Sequence, residues 1–192
     1  GLTVANLFIK NSDFEIIVYE KEEILSLDKG YGIQLATNSI SILNKIGFKN
    51  IDNNNIFNPL KLNFYSNNNK ICDLDLGKFN NDSIKYTTLQ RSILIEFLKD
   101  KLFTNNFRFG KEVKKVSKIK DKFLINFSDN TNDLVDFIIV SDGVFSNTKS
   151  IIENKNIMPQ YNGSVAIRTI VKFSEEFNYE SKNISLVMLP NA

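Results

Sequence analysis

The sequence predicts an α/β domain interrupted by β-rich excursions. Three observations carry this. The element order reads helix, strand, helix, hairpin, helix, strands, turn, strands. The run Phe14–Glu20 is short, apolar and rich in β-branched residues, as a buried parallel strand is. The strand-like runs between 112 and 140 lead directly into the turn SDGVFSNTK.

Taken in order, residues 2–10 place Leu2, Val4, Ala5, Phe8 and Ile9 where a helix packs on a sheet, and Asn11-Ser12-Asp13 breaks it. The strand 14–20 follows and ends in Glu20. TNSISILNKIGF offers Thr37, Asn38 and Ser39 as caps, an apolar face of Ile40, Leu43 and Ile46, and Gly47 as a stop. Residues 60–76 read as a hairpin around an Asn-rich turn. TTLQRSILIEFLKDKLF reads as an amphipathic helix with Leu89, Ile93, Leu94, Phe97 and Leu98 near one face. EVKKVSKI, KFLINFS and DLVDFIIV read as strands, and 161–171 and ISLVMLP are β-rich again.

Composition narrows the function. The 192 residues suffice for one large domain, and 42% hydrophobic with 24% charged residues is ordinary for a globular chain. A net charge of +2 gives no argument for nucleic acid or a membrane surface. No apolar run approaches the roughly 20 residues of a membrane span, and no signal-peptide pattern opens the chain. The single Cys72 excludes an internal disulfide and fits a cytoplasmic setting. With no histidine to join that one thiol, no structural zinc site is expected, and any Ser-His or Cys-His pair within this chain is excluded.

The opening carries the first chemical signal. A dinucleotide-binding unit has a strand, a glycine-rich turn, a helix, a second strand and an acid at its end, about 20 residues on. Gly1, the helix, the strand and Glu20 fit the second half of that unit, with Gly1 as its third glycine. Any α/β protein can also show helix, strand, acid. Arg91 stands out on physical grounds, because a guanidinium at a helix start opposes the macrodipole unless an anion or polar ligand sits there. Without such a ligand it is an exposed Arg on a polar face.

Together with Glu20-Lys21, the segment Gly30-Tyr31-Gly32-Ile33-Gln34-Leu35 and the helix start Thr37-Asn38 resemble the FAD-dependent aromatic-ring monooxygenases of the salicylate-hydroxylase and ubiquinone-hydroxylase kind. Thr37 stands where that family often has proline. Arg91 with Leu94, the strand around Val113, and Asp142, Gly143, Ser146 and Lys149 after a strand match further family stretches in order. Val140-Ser141 replace the family's Gly-Ala, and Lys149 replaces an Arg, keeping the charge and losing the planar fork. Arg168 matches a commonly basic position in the substrate sheet. Some relatives place a histidine base where Gln34 stands, and glutamine takes up no proton.

The resemblance implies a Rossmann-like FAD-binding domain, its first strand missing, interrupted by a β-rich substrate domain. The expected boundaries are 1–54 and 87–150 for FAD binding, 55–86 for a substrate-domain hairpin, and 151–192 for the start of a truncated substrate sheet. It implies FAD as cofactor, NADH or NADPH as electron donor, and oxygen transfer from dioxygen to a small aromatic or similar substrate. The implied cofactor-binding residues are Gly1 at the pyrophosphate turn, Glu20 at the ribose, Lys21 at the adenosine edge, Arg91 at the flavin nucleotide, Val113 at the adenine, and Asp142 in the second fingerprint. No residue is implied as catalytic. A reductase, epoxidase or halogenase of the same fold, and a non-catalytic remnant, remain open. A chain without the first strand is expected to fold poorly alone and to bind FAD weakly or not at all.

Overall fold

A computed structural model describes residues 1–25, 27, 30–67, 69–165 and 182–189. In chain order its elements are α1 (Leu2–Phe8), β1 (Val18–Tyr19), β2 (Gly32–Leu35), α2 (Thr37–Asn44), β3 (Ile56–Phe57), β4 (Lys61–Ser66), β5 (Asn69–Asp75), β6 (Thr87–Gln90), α3 (Arg91–Lys99), β7 (Phe107–Arg108), β8 (Val113–Ile119), β9 (Lys122–Phe127), β10 (Asn132–Val135), α4 (Asn147–Glu153) and β11 (Asn183–Met188). The expected strand at 161–171, with Arg168, falls largely outside the described residues. The chain divides into two compact units, 1–26 with 98–164 and 27–97 with 165–192, and α3 runs through the division.

In the first unit, β1 pairs in parallel with β7, matching Val18 to Phe107 and Tyr19 to Arg108. The apolar side of α1 packs here. Ala5 is buried with Leu102 and Phe107, and Leu2, Ile9, Ile16, Val18, Leu25 and Phe109 close around them. β8, β9 and β10 form an antiparallel sheet in the order β10-β9-β8, with a bulge between Val113 and Lys115. α4 packs against β8.

In the second unit, β6 lies between β2 and β3 in an antiparallel sheet. β4 pairs antiparallel with β5 and parallel with β11. The expected 60–76 hairpin and the ISLVM segment therefore share one sheet. Ile40, Leu43, Ile46, Phe48 and Leu89 are buried, and Phe48 meets Phe97 edge-on at 5.4 Å. Gly47 turns the chain after α2 at φ 91°, in the left-handed region.

Four sequence expectations need correction. Residues 87–90 are a strand, with the helix beginning at Arg91, because two β-branched threonines and Leu89 pair with β2 and β3. Leu89 thus fills the core from a strand. The 14–20 run is assigned as strand only at Val18–Tyr19 and is half-buried, with β7 its one neighbour among the described residues. DLVDFIIV is a strand only through Val135. Beyond it Phe137 is 77% and Phe145 79% exposed, and Ile139 and Val144 are exposed as well. A strand needs a hydrogen-bonding neighbour, and 137–140 has none among the described residues. At α2, Ala36 takes the cap position, and no side chain caps the helix.

One buried polar contact braces the first unit. Asn6, 2% exposed, donates from Nδ2 to the carbonyls of Leu2 and Leu98, each at 2.8 Å. Leu98 lies in the last turn of α3, where carbonyls lack partners within the helix. Asn6→Ala leaves that carbonyl unsatisfied, and urea denaturation should show a loss of about 1–3 kcal/mol.

Candidate functional site

The turn after β1 is held by backbone bonds to the turn after β7. The Glu20 N–H donates to the Arg108 carbonyl at 2.9 Å, and the Lys111 N–H donates to the Glu20 carbonyl at 2.8 Å. The Gly110 N–H donates to the Glu22 carbonyl at 3.1 Å. These bonds fix the peptide of Glu20 where the parallel pair ends, the usual ligand-facing end of such strands. One Glu20 carboxylate oxygen, Oε1, accepts the Glu22 N–H at 3.0 Å. The other, Oε2, has no hydrogen bond among the described residues. Lys21 is exposed and ion-pairs with Glu22 at 3.9 Å.

Val113 starts β8, half-buried, opposite Phe127 on β9. Phe127 stacks at a tilt on Tyr19, with ring centroids 4.9 Å apart. The Tyr19 hydroxyl donates to Asp133 Oδ2 at 2.9 Å. Burial, with help from the Asp133 carboxylate, pushes the Tyr19 phenol well above its ordinary range, so it stays a donor. Glu20 and Val113 are thus joined through Tyr19 and Phe127.

Gly1 and Asp142 form a second group. Gly1 caps α1 through the Ala5 N–H to Gly1 carbonyl bond at 3.0 Å. A Cβ on Gly1 would meet the Ser141 Cβ at 3.7 Å, an ordinary contact, so its neighbours among the described residues do not demand glycine there. Its place beside Ser141 brings the opening of α1 to the Asp142 loop. Ser146 caps α4 by accepting the Lys149 N–H at 3.0 Å, and Asp142 accepts the Thr148 N–H at 3.2 Å. Burial pushes the Asp142 carboxyl up, but hydrogen bonds from Ser146 and Thr148 outweigh it and hold the group below its usual range. Ser141, Asp142, Gly143, Lys149 and Glu153 help line an open cleft of about 340 Å³.

Arg91 belongs to the second unit. Its N–H donates to the Tyr31 carbonyl at 3.1 Å. Its aliphatic stem lies against Gly30, where a Cβ would come within 2.9 Å of the Arg91 Cδ. Gly30 also sits at φ 129°, so it does more than turn the chain. The Gln34 Oε1 accepts the Tyr86 hydroxyl at 2.6 Å.

Sequence reasoning missed Tyr19, Asp133 and Gly110. Gly110 was readable as a turn residue. Nothing local ties Asp133 to Tyr19, 114 positions away.

No family model matches the chain, and no curated protein does. Solved structures do. The 2,6-dihydroxypyridine-3-hydroxylase of Arthrobacter nicotinovorans matches at TM-score 0.67 and 17% identity, over 85% of this chain and 39% of that one. Klebsiella pneumoniae HpxO, solved with FAD and uric acid, matches at 0.65 and 19%, over 78% and 38%. The tetracycline destructase Tet(51) matches at 0.60 and 17%, over 79% and 38%. The chain thus spans well under half the length of these structures.

Two predictions follow from the site's supports. Gly110 sits at φ 66°, with the Glu23 carboxylate 2.9 Å from the place of a Cβ. Glu23 is exposed and can swing away, so the backbone dominates, and Gly110→Ala should cost about 1–2 kcal/mol by thermal unfolding. Asp129 is held at about 2 by hydrogen bonds from Lys111 and Thr131. Its folded value lies below the roughly 3.9 of an unfolded Asp. Its stabilisation is therefore present above pH ~4 and is lost as pH falls toward 2. Carboxyl NMR should titrate Asp129 near 2, and Lys111→Met should raise it.

The chain shares the mixed α/β fold of the matching solved structures, among them a hydroxylase and a protein solved with FAD, over part of their length.

Proposed function

We propose that this chain is part of an FAD-dependent monooxygenase that uses NADH or NADPH and dioxygen to hydroxylate an aromatic or similar small organic substrate. The observation that carries this is the pinned Glu20. Its backbone is held at the end of a parallel strand, one carboxylate oxygen has no hydrogen bond among the described residues, and Val113 is coupled to it through Phe127 and Tyr19. A carboxylate is an acceptor only, which suits the hydroxyls of a ribose. The residues present fit the group.

In this reading Glu20 binds the ribose, Lys21 the adenosine edge and Val113 the adenine. Gly1 and Asp142 stand at the pyrophosphate turn and the second fingerprint. Arg91 meets the flavin nucleotide, its stem seated on Gly30. Bound flavin would supply the redox chemistry and the activation of dioxygen. The chain's residues bind and orient it. No side chain here is assigned a catalytic role, and the Gln34 amide, whose oxygen accepts from Tyr86, takes up no proton and so is no base.

A Rossmann-type sheet with a further parallel strand is part of the proposal. The half-buried β1 and the exposed Phe137, Ile139 and Val140 are what such a strand would cover. Residues 1–54 and 87–150 are proposed as nucleotide-binding, and 55–86 and 151–192 as substrate-binding. The exposed free thiol of Cys72 supports a reducing, cytoplasmic setting.

The test is a visible spectrum of the protein translated from the complete reading frame. Flavin bands that bleach with NADH or NADPH and return in air are expected, with faster bleaching when an aromatic substrate is added; uric acid and 2,6-dihydroxypyridine are the first probes. Glu20→Ala should weaken FAD binding by about tenfold or more. Flavin bands without substrate stimulation would favour a reductase, epoxidase or halogenase of the same fold. A colourless protein that ignores added FAD would overturn the flavin reading in favour of a non-catalytic remnant.

A further inference from the structure

We propose that Tyr19 and Asp133 form a positioning pair that fixes Glu20 against Val113 and thereby sets the fit of the adenosine half of a bound dinucleotide. This rests on the flavin reading above.

The geometry is local to the first unit. Tyr19 immediately precedes Glu20 and is the last residue of β1. Backbone bonds to Arg108 and Lys111 hold Glu20 to the turn after β7, but they do not reach the β8–β10 sheet that carries Val113. The Tyr19 side chain spans that interval. Its ring rests on Phe127, the cross-strand partner of Val113, and its hydroxyl donates to Asp133 on β10. Asp133 lies opposite Ile125, a buried residue two places before Phe127 on β9. The aromatic contact and the hydrogen bond therefore grip the same sheet at two points. A half-buried phenol without a partner would be costly, so the hydroxyl selects one placement of β1 against the sheet. Lys111 adds a contact of its own, its ammonium 5.5 Å from the centre of the Phe127 ring.

The experiment compares FAD with FMN, which lacks the adenosine half, by fluorescence titration of apoprotein from the complete reading frame. Tyr19→Phe and Asp133→Ala should each weaken FAD about tenfold and leave FMN within about twofold. Asp133→Asn keeps an acceptor and should restore most of the FAD affinity. Unchanged FAD affinity in both variants overturns the proposal while leaving the flavin reading intact. Equal losses for FAD and FMN overturn it too, since a general loosening of the fold does that. Wild-type protein that binds neither nucleotide overturns the flavin reading and this proposal together. Should Tyr19→Phe fail to fold, the Asp133 pair of variants gives the same comparison.

Discussion

The first unit depends on one long-range pairing, β1 alongside β7. Two residue pairs define it, and the bonds at Glu20 extend it into the following turn. About 90 residues of chain separate its two sides, so the loop-closure entropy is large and must be offset by the core that forms around it. Ala5, Leu102 and Phe107 supply that core, and Asn6 ties α1 to the end of α3 within it. Without this register, Glu20 loses its backbone partners Arg108 and Lys111.

Polar side chains supply specificity that apolar burial alone does not. Tyr19 with Asp133, Asn6 with Leu98, and Lys111 with Asp129 and Thr131 each join segments distant in sequence. Ring packing of Phe127 on Tyr19 brings the hydroxyl and carboxylate within reach. The bond then rejects placements that the apolar contact alone would tolerate. The same unit exposes five large apolar side chains between Phe137 and Phe145, on both sides of the Ser141-Asp142-Gly143 turn.

In the second unit the constraint is steric. Gly30 has a backbone conformation that a side chain disfavours, and the Arg91 stem occupies the space a Cβ would need. Arg91 also begins α3 at the point where β6 ends, so its backbone is set by the β2–β6 register. One loop glycine and one sheet register together fix where that guanidinium starts.

The sequence by itself determined the element types where a local period was strong: α1, α2, the β4–β5 hairpin, the β8–β9–β10 run and the turn after it. Position at a strand end and at a helix start drew attention to Glu20 and Arg91, whereas Val113 and Asp142 stood out only through the family resemblance. Tertiary structure decided the rest. Thr87–Gln90 are helix-compatible by pattern and became a strand because β2 and β3 flank them. Phe137–Val140 are strand-compatible by pattern and are not assigned as one, since backbone groups pair only with a neighbour in place. The union of β11 with β4, the seat of Arg91 on Gly30 and the grip of Asp133 on Tyr19 left no local trace. Each joins residues far apart in the chain, and local propensity holds no information about distance in space.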